Sequence, residues 1–441
     1  MHSSNITMAL TASLLLGGVS WANESSSEWR VSGDFRTGYV KYDYDNAPLY
    51  IDSNGDIVGT SPTTSRGHID SKGFYITPKL SIVSPTYRNF MLKATVAGAT
   101  DFGINDEKYE SRNFVFDPSE RKSFILLQEA YLKYETKEHK VLVGREEIVT
   151  PMVDSDDWYM LANSFELAYY KNSSATDTDI YVGYFSKMAG VWDSGANGTE
   201  FHSMSDASFV SSADKERAGG KGIYFGAVEY NDQLHHNFKV WEYYAQDLYN
   251  TLFMQYDYLG KSGSLNYDFG LQYINFKEVG KLADHDTTNI DYSLYSAKFD
   301  GSFPNGFDFA TGVSKYSDGE GQGATLGAFG GYPYFANGMV FHFFEAGSLR
   351  NAASYKGQIG YSFDMFGIKN IWAGYRYTYY NLDPNYSFTL ENKPQSTMVL
   401  NGVQLKFGSD KGAYFRGTYE SVTIDNEPDT YSLRLIGGYR F

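Results

Sequence analysis

Seven cationic side chains fall at alternating positions of segments that the sequence pattern predicts to be β-strands. In the last of these segments, Arg434 and Arg440 have one parity, and Leu435 and Phe441 have the other. Because successive side chains of a strand point to opposite faces, the cations and the apolar residues lie on different sides of the sheet. The cations with this pattern are Arg30, Arg36, Arg376, Lys406, Arg416, Arg434 and Arg440. A row of fixed positive charges on a water-facing wall would bind and guide anions or carboxylate groups.

The same cations admit a second interpretation. Asp34 and Glu420 have the same parity as the cations. They could form ion pairs with these cations, and the row would then keep water in the lumen without guiding solutes. Lipid is excluded as their surrounding, because an arginine at the midplane of a bilayer costs about 2–4 kcal/mol. The row therefore predicts a wall that faces water, with solute guidance and charge pairing both left open.

The elements that carry these residues are short and alternating. Segments of about ten residues with a period of two recur about eighteen times, and no segment shows a sustained period of 3.6. Their connections alternate between short turns, such as 136–139 and 303–306, and long stretches, such as 187–219 and 318–352. This alternation is typical of a transmembrane antiparallel β-barrel with tight periplasmic turns and long outer loops. We therefore predict an all-β barrel of about 18 strands.

The composition agrees with a barrel. Of the 441 residues, 17% are aromatic, with 39 Tyr and 31 Phe, and 20% are charged. Aromatic girdles at both membrane interfaces and a polar lumen together produce such a composition. The chain has no cysteine, which removes thiolate catalysis and cysteine metal sites, and no cofactor is predicted. The net charge of −16 argues against nucleic acid as a partner.

Both ends of the chain carry export features. Residues 8–19 are small and mostly apolar, and Ser20-Trp21-Ala22 follows with small residues at its first and last positions. This pattern predicts a signal peptide over residues 1–22, and residues 23–441 then form a single transmembrane barrel domain. The terminal Phe441 resembles the signal by which the barrel-assembly machinery recognises outer-membrane proteins. The expected location is the outer membrane of a Gram-negative bacterium.

A stretch of about twenty-five residues carries a more specific likeness. It contains Gly144-Arg145, Thr150-Pro151, an acidic turn over residues 154–157, and Asn163-Ser164-Phe165-Glu166. The stretch resembles the constriction loop of the OprD family of outer-membrane porins. The resemblance implies an 18-stranded monomer or loose homotrimer whose third loop folds into the lumen, with acidic residues facing a basic ladder.

On this resemblance, the constriction-loop residues are Arg145, Asp154, Asp156, Asp157 and Tyr159. Two positions depart from the family pattern: Tyr159 stands where an arginine is usual, and Ala162 where a proline is usual. The face of Arg145 is left open by the alternation, because Val143 shares its parity and points outward. Asp and Ser are also common turn formers, so the acidic turn has a purely structural interpretation.

The function expected from these observations is passive diffusion of small hydrophilic solutes. Members of the family pass amino acids, peptides and other small carboxylates, and a branch passes oligosaccharides, an alternative that Trp372 and Tyr380 keep open. A barrel that acts mainly as an adhesin or surface receptor is a further alternative. An enzyme is not predicted, because His235, His236 and His285 have no recognisable nucleophile nearby.

Overall fold

The computed structural model describes most of the chain between residues 28 and 441. The described residues are 28–44, 50–51, 57–59, 71–105, 123–157, 160–190, 200–284, 289–340, 349–386, 394–426 and 429–441. The predicted signal peptide and Tyr159 lie outside them. Within the described part, no helix has the length and apolar character needed to cross a membrane.

Strands dominate the structure, because the period-two segments place apolar residues on one face and polar residues on the other. The strands are β1 (Arg30–Tyr44), β2 (Tyr50–Ile51), β3 (Ile57–Gly59), β4 (Ser71–Val83), β5 (Phe90–Ala99), β6 (Phe124–Glu135), β7 (His139–Glu146), β8 (Ser164–Ala175), β9 (Thr178–Ala189), β10 (His202–Ser203), β11 (Ile223–Asn231), β12 (His236–Ala245), β13 (Tyr249–Ser262), β14 (Leu265–Glu278), β15 (Asp291–Ser302), β16 (Phe307–Tyr316), β17 (Ala353–Ser362), β18 (Ile371–Asn381), β19 (Thr397–Gly408), β20 (Gly412–Ile424) and β21 (Thr430–Arg440). Short helices α1 (Met204–Ala207), α2 (Ser212–Ala218) and α3 (Gln322–Thr325) and a 3-10 turn (Phe363–Phe366) lie in the connections.

The sheet closes on itself. β1 pairs antiparallel with β4 on one side and with β21 on the other, where Asp34 faces Arg440 and Tyr39 faces Leu435. The remaining long strands pair in chain order, the short β10 adds to the edge of β9, and β2 and β3 form a separate hairpin. The prediction of a barrel of about 18 strands is confirmed, with β10 as one extra short strand.

The wall has two different faces. On β21, Leu435 and Phe441 are 39% and 57% exposed, whereas Ser432 and Arg434 are buried on the inner side. The exposed large residues of the other strands are likewise apolar or aromatic and fall on the outward parity. An apolar outer face and a polar inner face are the arrangement that lipid outside and water inside require.

The long connections emerge at one end of the barrel. In chain order the first seven cover residues 45–70, 100–123, 147–163, 190–222, 246–248, 279–290 and 317–352. The fifth has three residues, and the last connection at this end, residues 425–429, has five, so the predicted alternation of short and long is interrupted twice. The third and seventh, loop 3 (residues 147–163) and loop 7 (residues 317–352), contact inward-facing side chains of the wall, so the expected inward third loop is confirmed.

Loops 3 and 7 meet inside the barrel. Val153 forms bridges to Phe329 and Gly330, and the Asp154 amide donates to the Phe329 carbonyl at 3.0 Å. Gly330 has a φ of 85°, and a Cβ there would lie 2.4 Å from the Asp154 carbonyl oxygen. Only glycine allows this approach of two backbones, so loop 7 can pack directly on loop 3.

Candidate pore constriction

Four of the predicted cations converge where the two ends of the chain meet. β21 pairs with β20 on one side and β1 on the other, which places Arg416 beside Ile436 and Arg36 beside Gly438. Arg434 and Arg440 lie on β21 between them. Residues almost four hundred positions apart in sequence thereby form one basic wall.

The acidic turn of loop 3 lies directly on this basic wall. Arg36 Nη1 donates to Asp157 Oδ2 at 2.8 Å, and Arg416 Nη2 lies 3.5 Å from Asp157 Oδ1. Burial alone would raise the pKa of the Asp157 carboxyl, but Arg36, Arg416 and Arg434 hold it well below its usual range. Asp157 is therefore ionised at neutral pH and in contact with the cations, rather than opposed to them across open water.

The other two carboxylates of the turn lie close to Asp157. The Asp154 carbonyl accepts from Asn163 Nδ2 at 3.2 Å, and the Asp156 carbonyl accepts from the Asn163 amide at 3.1 Å. Burial raises the pKa of Asp154, and the negative charges of Asp156 and Asp157 raise it further. The structure thus brings all three predicted acids together, with opposite pKa directions for Asp154 and Asp157.

Arg36 also fixes the backbone of loop 3. Its Nη1 donates to the Met160 carbonyl at 3.0 Å, and the Thr77 hydroxyl donates to the same oxygen at 3.3 Å. The Met160 side chain packs where Gly38 leaves space, since a Cβ on Gly38 would lie 2.7 Å from its sulfur. The Arg36 side chain is only 11% exposed. Arg36 faces inward as predicted, but its contacts anchor a loop.

Arg376 holds loop 7 in the same way. Its Nη1 donates to the Gly338 carbonyl at 2.7 Å, and its Nε donates to Gln358 at 2.9 Å. Glu420 accepts from the Met339 and Val340 amides, both at 2.6 Å. The residue Arg376 is 7% exposed, so loop 7 separates it from the open lumen. Sequence reasoning placed both side chains inward, but could not foresee the loop that covers them.

Of the remaining cations of the predicted row, Arg434 is buried and the other four are more exposed. Arg416 and Arg440 have side chains that are 35% and 37% exposed, and the Arg440 guanidinium lies 4.1 Å from the centre of the Tyr414 ring. The Lys406 ammonium lies 5.2 Å from the Trp372 ring centre. Arg30 is exposed at the short-turn end of β1.

Asp34 pairs with part of this row. Its Oδ2 lies 3.3 Å from Arg36 Nη2 and 3.4 Å from Arg440 Nε, and its Oδ1 accepts from the Tyr414 hydroxyl at 2.7 Å. Pairing with Asp34 therefore accounts for the inward charges of Arg36 and Arg440. Arg416 and Lys406, which have no carboxylate bond to the wall, remain the candidates for solute contact.

An acidic patch that sequence reasoning missed lies on the opposite wall. The Lys298 ammonium is bonded to Asp268, lies 3.2 Å from Asp257, and lies 4.0 Å from Asp300. β13, which carries Asp257, is nine strands from β1 in the 18-strand order, and so is diametrically opposite. Three carboxylates surround this lysine, and Lys356 lies near Asp300 as a second cation. The shared parity of the carboxylates along β13 to β15 was the signal that could have revealed them.

Solved structures share this architecture. The chain aligns with OccAB4 of Acinetobacter baumannii (15% identity, TM-score 0.73, 95% of this chain and 100% of that one). It aligns equally with a BenF-like porin of Pseudomonas fluorescens (15%, 0.72, 95% and 100%) and with Pseudomonas aeruginosa OccK2 in complex with glucuronate (14%, 0.70, 94% and 96%). The chain has the fold of the OprD-family porins. No family model and no curated protein matches it.

In this OprD-type fold, Arg145 lies away from the constriction that the resemblance implied. Val143 is exposed and Leu142 is buried, so the parity places Arg145 on the outward face. Its Nε lies 3.4 Å from Glu166 Oε2, and its guanidinium lies 4.1 Å from the centre of the Phe201 ring. The expectation of a pore-lining Arg145 is corrected: the strand keeps its alternation to Glu146 and does not rotate at the base of the loop.

Proposed function

We propose that this protein is an outer-membrane porin of a Gram-negative bacterium, through which small hydrophilic solutes diffuse passively. The observation that carries the proposal is the charged lumen of a closed barrel, in which Asp157 of loop 3 contacts Arg36 and Arg416 of the wall. Loops that narrow a barrel beside exposed charges select solutes by size and charge. The closed wall needs no second copy to complete it, so a monomer suffices; a loose trimer stays a prediction.

The preferred solutes are small molecules that carry a carboxylate, including amino acids. Arg416 and Lys406 supply positive charge to the lumen, and a guanidinium binds a carboxylate through two parallel hydrogen bonds. On the opposite wall Asp257 and Asp300 are buried beside Lys298, so Asp268, whose side chain is 17% exposed, is the carboxylate that complements the ammonium group of an amino acid. OccK2, which has the same fold, was solved with glucuronate, itself a small carboxylate.

The oligosaccharide alternative has less support. Sugar recognition uses exposed aromatic rings, and the two rings that the sequence suggested for it are covered. Tyr380 is completely buried and donates to the Ala336 carbonyl of loop 7 at 3.3 Å. Trp372 is 8% exposed, with its indole nitrogen donating to Asp308 at 2.7 Å.

Planar bilayers test the proposal. Folded protein should produce stepwise conductance, and the reversal potential across a salt gradient would report the permeability of anions relative to cations. In liposome swelling, glucuronate and glycine should enter faster than an uncharged disaccharide. Correctly folded protein without conductance would overturn the porin function, and preferential disaccharide entry would overturn the solute class alone.

A further inference from the structure

Charged residues on the outer surface of the barrel are distributed unevenly between its two ends. Among the strand residues that the structure describes, the outward-facing lysines and arginines all lie toward the long-loop end, and they are Lys41, Lys72, Arg145, Lys187, Lys277 and Lys315. At the short-turn end no outward lysine or arginine is found among the described strand residues, and outward positions such as Phe90, Phe407 and Tyr439 are aromatic. Four outward acids, Asp43, Glu166, Glu242 and Asp291, lie at the same end as the cations, so the rim carries an excess of two cations, which anionic head groups would complement.

Two of these cations form a compact cluster. Glu166 is the register partner of Arg145 on β7 and of Lys187 on β9, so the three side chains lie side by side across three strands. Glu166 accepts from Arg145 Nε, and the Phe201 ring covers one face of the guanidinium. Among the described residues, the side chain of Lys187 has no hydrogen-bond or ion-pair partner. The cluster thus carries one net positive charge and has unused donors.

The height of the cluster corresponds to the edge of a bilayer. Glu166 and Lys187 are each the tenth residue of their strands when counted from the short-turn end. Ten residues span roughly 33 Å along a strand, and a tilt of about 40° reduces this to roughly 25 Å, which matches the apolar band of an outer-membrane barrel. Arg145 is the register partner of Glu166 and therefore lies at the same level.

Apolar side chains surround the cluster on the same face. Ile125 is 80% exposed, and Leu127 and Val143 are also exposed. Arg145 Nη1 lies 3.5 Å from the Leu127 carbonyl, so the guanidinium is adjacent to this apolar surface. A cationic group beside exposed aliphatic side chains fits an amphiphile with an anionic head and acyl chains.

We propose that Arg145 and Lys187, aligned by Glu166 and Phe201, bind the phosphate group of a lipid in the outer leaflet. A planar guanidinium matches phosphate geometry, and a neighbouring ammonium adds a second charge. The acyl chains lie along Ile125, Leu127 and Val143. This inference rests on the membrane placement proposed above, but not on the identity of the transported solute.

Native mass spectrometry of the detergent-solubilised full chain tests the site. Diphosphorylated lipid A, dephosphorylated lipid A and inorganic phosphate serve as the probes. The unmodified protein should retain diphosphorylated lipid A, and the R145Q/K187Q protein should bind it about 30-fold more weakly, since each lost cation removes a surface attraction to an anionic lipid. Dephosphorylated lipid A should bind both proteins weakly, and millimolar phosphate should not displace the lipid.

The matched control is K277Q/K315Q, which removes two outward cations elsewhere on the rim. Equal loss of lipid from both double variants would overturn the proposal, because general rim charge would then account for binding. Displacement by free phosphate would assign the cluster to a soluble anion and would also overturn it. A change of oligomer mass in R145Q/K187Q without any lipid adduct would show that a second copy covers this face.

Conductance measurements test the lipid site and the porin function independently of each other. The R145Q/K187Q protein should conduct like the unmodified protein, because the cluster lies outside the lumen. Retained conductance with lost lipid binding supports both proposals, whereas an unmodified protein that binds lipid but never conducts would overturn only the porin function.

Discussion

Side chains of the same type and parity have different roles in this barrel. Arg36 and Arg416 both contact Asp157, yet the Arg36 side chain is 11% exposed and the Arg416 side chain is 35% exposed. The Arg36 guanidinium donates hydrogen bonds to Asp157 and to the Met160 carbonyl. Arg416 has one longer contact to the loop, and so is the cation that a passing solute can reach.

Replacing Arg416 with Ala should make the channel more cation-selective. A unit positive charge about 5 Å from the path of an ion in water raises the local anion concentration and lowers the cation concentration, each about fourfold, so the anion-to-cation permeability ratio should fall by up to about 16-fold at low salt. Reversal potentials in planar bilayers measure the ratio. R145A, which removes an outward arginine, is the control and should have no effect; an unchanged ratio in R416A would remove this residue from selectivity.

The two perturbed carboxyls of loop 3 predict a distinctive pH dependence. Because the pKa of Asp154 is raised in the folded protein, the folded state takes up this proton first, and stability increases as the pH falls from 7 through the raised pKa. The pKa of Asp157 is lowered, so its stabilising contribution is lost only below the ordinary pKa of an aspartate. Thermal unfolding in detergent should therefore show a higher Tm at pH 5 than at pH 7.

Two variants check the assignment. D154N should raise the Tm at pH 7 and reduce the gain at pH 5. D157N should lower the Tm at both pH values, since the arginines lose their ion pair. A D154N protein with the pH dependence of the unmodified one would show that another group is responsible.

At the scale of elements, the inward loops are held by strand side chains rather than by their own secondary structure. In the described part of loop 7, α3 has only four residues, and the rest is irregular backbone. Irregular backbone inside a barrel needs partners for its amides and carbonyls. Glu420 and Arg376 provide them from β20 and β18.

Glu420 should therefore control the position of loop 7. E420A leaves two amides without acceptors, at about 1–3 kcal/mol each, so the loop should leave the wall and single-channel conductance should increase. E420Q keeps one acceptor oxygen and should be intermediate. Single-channel recordings measure both. An E420A channel with unchanged conductance and unchanged current noise would show that other contacts suffice to hold the loop.

At the scale of the whole molecule, stability depends on the separation of lipid-facing and water-facing surfaces. Leu405 and Gln404 are neighbours on β19, and Leu405 is exposed on the outer face whereas Gln404 points inward, with its amide donating to Thr418 at 2.9 Å. The two residues are adjacent in sequence, but Leu405 faces lipid and Gln404 faces the water of the lumen.

An arginine at these two positions should have unequal effects. L405R should destabilise the barrel by about 2–4 kcal/mol, because the charge would face the apolar band. Q404R should cost much less, since it faces the lumen. Urea titrations of refolding into lipid vesicles measure the difference. Equal destabilisation by the two substitutions would contradict the assignment of the faces.

The amino-acid sequence alone determined the barrel, its approximate strand number and the parity of each cation. These are local properties: the period of two places each side chain of a strand on one face, whatever the rest of the chain does. The inward positions of Arg36, Arg376 and Arg434 follow from that period without any tertiary information. The acidic residues around Lys298 also have the inward parity, so the same period of two could have revealed them.

Tertiary structure alone decided which cations remain accessible to solutes in the lumen. Closure pairs β21 with β1 and brings Arg36 next to Arg416, and the insertion of loops 3 and 7 then covers Arg36 and Arg376. Loop positions depend on contacts between residues far apart in sequence, such as Glu420 with Val340, and no periodicity encodes such contacts. The outward face of Arg145 follows the local period of β7, and the structure excludes only a rotation of the strand at the base of loop 3.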